Sequence, residues 1–162
     1  MAAAAWLSLK GETVGDIKSA SGVEGLDEYI RVINAEHLIE SPRDIATGRA
    51  TGRRRHLPLR LVAAINKETP IIAQSLCNNE NITEFRIRWT APNPTGDMVH
   101  VATTELVNAR IVNIRILNHF TLEDRWKKYP GVYEMEVVYQ RITWTWEEGG
   151  ISAYDDWKNP TV

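Results

Sequence analysis

The stretch VYEMEVVYQRITWTWEEGGISAYDDW, residues 132–157, decides the fold through the phase of its apolar residues. Tyr133, Met135, Val137 and Tyr139 alternate with Glu134 and Glu136, which places the odd positions on a core. From Ile142 the even positions take over, with Ile142, Trp144 and Trp146 alternating against Arg141, Thr143 and Thr145. A strand has a side-chain period of two, so it cannot exchange faces without a slip. A bulge or sharp bend between Tyr139 and Ile142 is the economical reading. Kept straight, at about 3.3 Å per residue, the run would be roughly 50 Å long, too long for one small sheet. Such a strand bends from one sheet into another, closing a barrel or an orthogonal sandwich. Gly149-Gly150 then predicts a two-residue hairpin loop, because glycine tolerates the positive φ of primed turns.

The same device recurs upstream. Residues 98–120 read as two strands; in the second, Val107, Ala109 and Ile111 hold odd positions, and Val112, Ile114 and Ile116 then hold even ones. Two slipped strands favour a bent, closed β architecture over a flat sheet. Around them lie further strands at 4–10, at 57–65 with Pro58 marking an edge, and at 81–90. In the last, Phe85, Ile87 and Trp89 oppose Glu84, Arg86 and Arg88. Residues 11–25 form a polar loop with a short strand near 16–19. Residues 28–40 suit a strand covered on both faces or a second bent one. One helix is expected over 69–78, with Thr69 as N-cap and Pro70 as first helical residue, covering an end of the barrel. Residues 121–131 form a polar loop.

Composition narrows the function by exclusion. A chain of 162 residues suits one domain over 1–162, and 43% hydrophobic with 25% charged residues is ordinary for a globular protein. The net charge of −2 gives no case for bulk nucleic-acid binding. The single cysteine, Cys77, excludes an intrachain disulfide and reads as a small buried residue on the helix. No apolar run approaches the roughly 20 residues that a membrane-spanning helix needs. The start, MAAAAWLSLK, lacks a positive n-region and reads as a strand, so export would use a route other than a cleaved signal. His37, His56, His100 and His119 are scattered without metal-ligand spacing, and no P-loop or nucleophile elbow occurs. No catalytic residue, metal or cofactor is therefore expected. Glu147-Glu148 and Asp155-Asp156 read as acids of a solvated turn.

Residues 41–55, SPRDIATGRATGRRR, are the compositional outlier. Pro42, Gly48 and Gly52 argue against regular structure, while Arg43, Arg49, Arg53, Arg54 and Arg55 face only Asp44. A loop this long is functional or disordered in a compact domain. A mobile arginine loop can track phosphates, but no aromatic residue is interleaved to stack on bases. It can equally meet an acidic surface on another copy of the chain, and the hairpin at 147–156 is acidic. Such complementary patches make head-to-tail contacts.

Together these pieces resemble the haemolysin-coregulated protein (Hcp) family of the bacterial type VI secretion system. The likeness rests on Thr47-Gly48-x-x-Thr51-Gly52 followed by Arg53, His56 and Pro58, on Thr69-Pro70, and on Ile142-Thr143-Trp144-Thr145-Trp146 leading to Gly149-Gly150 and Asp156-Trp157. It implies a mainly β fold, a barrel of two antiparallel sheets with one helix and a protruding loop. It also implies hexameric rings that stack into a tube, with sheath and spike proteins as partners and effector proteins in the lumen. The tube would assemble in the bacterial cytoplasm and be expelled from it, without nucleic acid and without membrane insertion. The resemblance assigns ring stacking to the arm: Arg43, Thr47, Gly48, Arg49, Thr51, Gly52, Arg53, Arg54 and Arg55.

Overall fold

The computed structural model describes residues 3–158. Among them the chain is mainly β, with one α-helix. In order it runs β1 (Ala4–Gly11), β2 (Gly15–Ile17), β3 (Ile30–Glu36), β4 (Ile39–Glu40), β5 (Arg55–His56), β6 (Leu59–Ala64), α1 (Thr69–Cys77), β7 (Ile82–Pro92), β8 (Met98–Val107), β9 (Arg110–Leu117), β10 (Val132–Val138), β11 (Arg141–Trp146) and β12 (Ile151–Asp156). There are two sheets of very unequal size. The larger has ten strands in the order β12-β11-β8-β7-β1-β3-β6-β10-β9, with β2 added on β1, and the smaller is the ribbon β4–β5. Every pairing is antiparallel. The order is an open path ending on β12 and β9.

Both phase slips are real bends. β10 pairs with β6 and β9, whereas β11, two residues further on, pairs with β8 and β12. The chain changes neighbours at Tyr139-Gln140, which is why its buried face switches from odd to even there. The second slip is a bulge: Glu136 faces Asn113 but Val137 faces Ile111, leaving Val112 as the extra residue. Asn108, at φ +50°, turns β8 into β9 at the same level. A single bridge between Ile82 and Ala109 ties the start of β7 to that turn. The core packs Leu7, Ile30, Leu61, Phe85, Ile87, Tyr133, Met135, Val137 and Ile142 into one cluster.

Several expectations need correction. The hairpin loop has four residues, 147–150, since Trp146 pairs with Ile151. Both glycines do take positive φ, +79° and +64°, within a 3-10 turn over Glu148–Gly150 that Glu147 precedes. The helix is capped by Glu68, one residue earlier than expected; the Thr69 hydroxyl instead accepts the Asn66 N–H at 3.0 Å. The Glu68 carboxylate turns inward and accepts the Tyr133 hydroxyl at 3.0 Å. Cys77 is exposed. Five residues beyond the buried Ile72, it sits about 140° round the helix from the face that packs inward. Residues 28–40 split into two strands of different sheets, and Ile33 and Leu38 lie open to solvent.

Candidate functional site

The arm leaves between β4 and β5, and their short ribbon closes its base through the Glu40–Arg55 ion pair. Above it the chain is an ordered finger and not an irregular loop. Arg43 bridges Ala50, the Asp44 N–H reaches Arg49 O at 2.9 Å, and the Thr51 N–H reaches Pro42 O at 3.0 Å. One carboxylate organises the tip. Asp44 Oδ1 accepts both the Thr47 N–H (2.7 Å) and its hydroxyl (3.0 Å), and these bonds hold the carboxyl below the usual range. Gly48, at φ +68°, completes the turn and accepts Arg43 Nη1 at 3.1 Å. Ile45, at the tip, is fully exposed.

A chain of polar side chains anchors this finger. Arg54 grips Asp155 of β12 with two bonds of 2.5 Å, from Nε to Oδ2 and from Nη2 to Oδ1. His56 Nε2 lies 2.5 Å from Asp155 Oδ2, and His56 Nδ1 lies 2.6 Å from the Tyr139 hydroxyl. His37, on the other leg of the arm, places Nε2 2.6 Å from the same hydroxyl. An ionised carboxylate only accepts, so His56 donates from Nε2, and in that tautomer Nδ1 accepts the Tyr139 O–H. The Tyr139 oxygen then accepts from His37. Both legs of the arm are thus tied to one phenol at the β10–β11 bend.

The electrostatics follow from that order. The Arg54 hydrogen bonds, seconded by His56, hold the Asp155 carboxyl below its ordinary range. Burial lowers the His37 imidazole, and the neighbouring His56 lowers it further. Burial and the Asp155 charge push the Tyr139 phenol up. Trp157 covers His56 at 5.9 Å between ring centroids. A cleft of about 260 Å³ remains, lined by Arg53, Arg54, His56, Asp155 and Trp157, and no Ser, Thr or Cys lines it. The chemistry of this arrangement is fastening.

The arm residues singled out by sequence therefore divide. Arg54 and Arg55 are engaged at the base, Arg43 and Thr47 shape the finger, and Arg49 and Arg53 have no ion-pair partner among the described residues. Gly48 needs its positive φ. Gly52 does not, and a Cβ there would meet only Pro42, at 3.9 Å. Thr51 contributes its backbone. Asp155 is no solvated turn acid, and its pairing with Arg54 lies within one chain, not between copies. His37, Tyr139 and Asp155 escaped the sequence reading. One signal was available: a hairpin closed by residues 40 and 55 brings His37 and His56 onto neighbouring legs.

Comparison with known proteins bears on the same elements. A curated "Major exported protein" from Pseudomonas aeruginosa is 29% identical over 171 aligned positions, covering 100% of this chain and 99% of that protein. A solved mutant of the Hcp1 protein from Escherichia coli EAEC 042 superposes with a TM-score of 0.83 at 26% identity, over 95% of this chain and 98% of that one. A crystal structure of an Hcp protein reaches a TM-score of 0.91 at 24% identity, over 98% and 100% of the two chains, which shows a shared fold. The sequence profile described as "Type VI secretion system effector, Hcp" matches residues 6–146, from the first strand to the last tryptophan of β11. This chain, with its doubly bent strands and anchored arm, belongs to the Hcp family of type VI secretion proteins.

Proposed function

We propose that this chain is the structural subunit of a secreted type VI tube, six copies closing into a ring and rings stacking into a hollow conduit that carries effector proteins. Family membership supports the tube. The exported relative in Pseudomonas aeruginosa supports release from the cell. Sheath and spike proteins would be the further partners. The subunit is one domain over residues 1–162, with 41–55 as its protruding arm. The Ile82–Ala109 bridge supports a bent, barrel-like sheet drawn together at one point, with the β9 and β12 edges left open.

The observation that carries the ring is the pair of unpaired edges. β9 and β12 end the sheet, and each exposes a large side chain beside polar ones: Ile116 on β9 is 59% exposed and Tyr154 on β12 is 63% exposed. Open edges invite uncontrolled pairing unless something covers them. Two different edges on one subunit meet head-to-tail, and such contacts close into rings when the rotation allows. The arm residues Arg43, Thr47, Gly48, Arg49, Thr51, Gly52, Arg53, Arg54 and Arg55 then serve stacking, with Arg49 and Arg53 free to reach a neighbour while Arg54 and Arg55 hold the base. Exposed ion pairs contribute only about 0–1 kcal/mol each, so stacking is weak and salt-sensitive until many subunits act together.

The role is mechanical, with no catalysis and no cofactor. Nucleic-acid binding draws no support, because three of the arm's five arginines are committed within the chain. Sedimentation and negative-stain microscopy test the reading. The mass of six 18.4 kDa chains and six-fold annuli about 80–90 Å across are expected from domains of roughly 30–35 Å around a hole. Monomers throughout the micromolar range would overturn it.

A further inference from the structure

The change of neighbours at Tyr139-Gln140 opens a fork in the large sheet. Val138 still pairs with Arg110 of β9, but the Gln140 N–H has crossed to Val107 O of β8 at 3.1 Å. The Trp157 N–H, just past the end of β12, reaches Gln140 O at 3.0 Å. At this fork lies an open cleft of about 680 Å³, bordered by Val138 and Tyr139 from the bend and by Asn108 and Arg110 from the turn that faces it. Clefts at the mouths of β structures are common ligand sites.

Its lining has a distinct chemistry. Three side-chain amides, Asn81, Asn108 and Gln140, border it together with one indole, Trp157, which is 52% exposed. Trp157 also borders the smaller cleft at the arm base, so it covers His56 toward the arm and stays open toward the fork. Asn108 Nδ2 donates to Gln140 Oε1 at 2.9 Å, which steadies both amides and leaves the Asn108 carbonyl and the Gln140 amino group to offer. Asn81 and Glu12 are joined through their backbones at 2.9 Å, and neither side chain has a partner among the described residues. Charge is close to balanced: the Glu12 carboxylate stands against Arg110 and Lys158, and Arg110 Nη1 is already donated to Asn79 O at 2.6 Å.

That lining excludes several guests. A phosphate ligand calls for a clearly basic pocket, and a wholly apolar one would leave the amides unpaired. An extended peptide adds to free backbone groups, whereas Gln140, Val107 and Trp157 have already bonded theirs to one another. Amides that both donate and accept, beside a flat apolar wall, match a guest with hydroxyls round its rim and C–H groups on its face. A pyranose ring has that form.

We propose that the fork cleft is a binding site for a neutral saccharide, one pyranose ring lying on Trp157 and its hydroxyls exchanging hydrogen bonds with Gln140, Asn108 and Asn81. The site does not depend on the tube reading.

The test applies saturation-transfer difference NMR to the full chain, with N-acetylchitotriose, cellotriose, maltotriose and trigalacturonate as millimolar probes, while sedimentation follows ring mass. Saturation is expected on at least one neutral trisaccharide, strongest at the C–H protons of one ring face. Trp157→Ala should weaken that binding roughly tenfold. Asn81→Ala, which leaves the arm base untouched, should weaken it by roughly two- to tenfold, as loss of one hydrogen bond does. Trp146→Ala, at a tryptophan of similar exposure (48%) outside the cleft, should leave it unchanged. Saturation of trigalacturonate alone, or equal loss in Trp146→Ala, would overturn the assignment. No saturation on any neutral probe would overturn it too, and rings lost in Trp157→Ala would then give the cleft to a neighbouring subunit. Monomers that still bind the sugar would remove the tube reading and leave this site standing.

Discussion

Tyr139 carries one hydroxyl between two imidazoles, and that arithmetic sets how the arm base responds to acid. Its O–H can donate to His56 while its oxygen accepts from His37, an arrangement that tolerates one imidazolium but not two. The His37 value is depressed by burial and then by His56, so the folded state favours the neutral ring. A depressed folded value means that the stabilisation is fully present above the ordinary histidine value of about 6.5 and is lost as pH falls through the folded value. Asp155 is depressed too, and its share fades only below the ordinary aspartate value of about 3.9. Between about pH 7 and about pH 5 the thermal midpoint should therefore fall through His37, and His37→Gln should flatten that slope in calorimetric scans. Arg54 and Asp155, which also border the cluster, keep their charges over this window. Tyr139→Phe removes the donor and the acceptor together and should cost about 1–3 kcal/mol, at roughly 2–4 °C per kcal/mol for a chain of this size. An unchanged midpoint would mean that the two histidines anchor the arm without the phenol.

Two elements carry the architecture, the bent strand pair and the finger. Ile142 is where the new phase of the bent strand first enters the core, and it is fully enclosed. Ile142→Ala should cost about 2–5 kcal/mol in denaturant unfolding, because a cavity adds to the lost transfer energy. Thr143→Ala, on the opposite face, should stay within about 0.5 kcal/mol. In the finger the two glycines are not equivalent. Gly48→Ala forces an L-residue to φ +68°, whereas Gly52→Ala meets ordinary contact. Limited trypsin digestion at Arg49 should accelerate in the first variant and not in the second, with the midpoint of the body unmoved in both. Equal digestion of the two would show that the Asp44 turn does not order the tip.

For the whole molecule, the unpaired edges decide what the subunit becomes. Ile116→Lys places a charge on the β9 edge, a device that natural sheets use to block edge pairing. On the ring reading it should yield folded monomers by sedimentation, with an unchanged circular-dichroism spectrum. Rings that form regardless would move the interface elsewhere. Stacking should weaken with salt while the ring persists, since arm contacts are exposed ion pairs and edge pairing rests on backbone hydrogen bonds and apolar burial.

The phase slips at Tyr139–Ile142 and Ile111–Val112 are legible in the sequence alone. Side-chain alternation is a local property of a strand, and a change of face must appear as a change of phase. The helix, most strand positions along the chain and the compositional oddity of 41–55 are legible because they too are local. What the linear chain withholds are the relations between residues far apart in it. Asp155 lies about a hundred positions from Arg54 and His56. No local pattern distinguishes a solvated turn acid from an anchoring one. Whether Trp146 is core or surface depends likewise on which elements the fold brings over it; it is 48% exposed, and only the folded arrangement settles that.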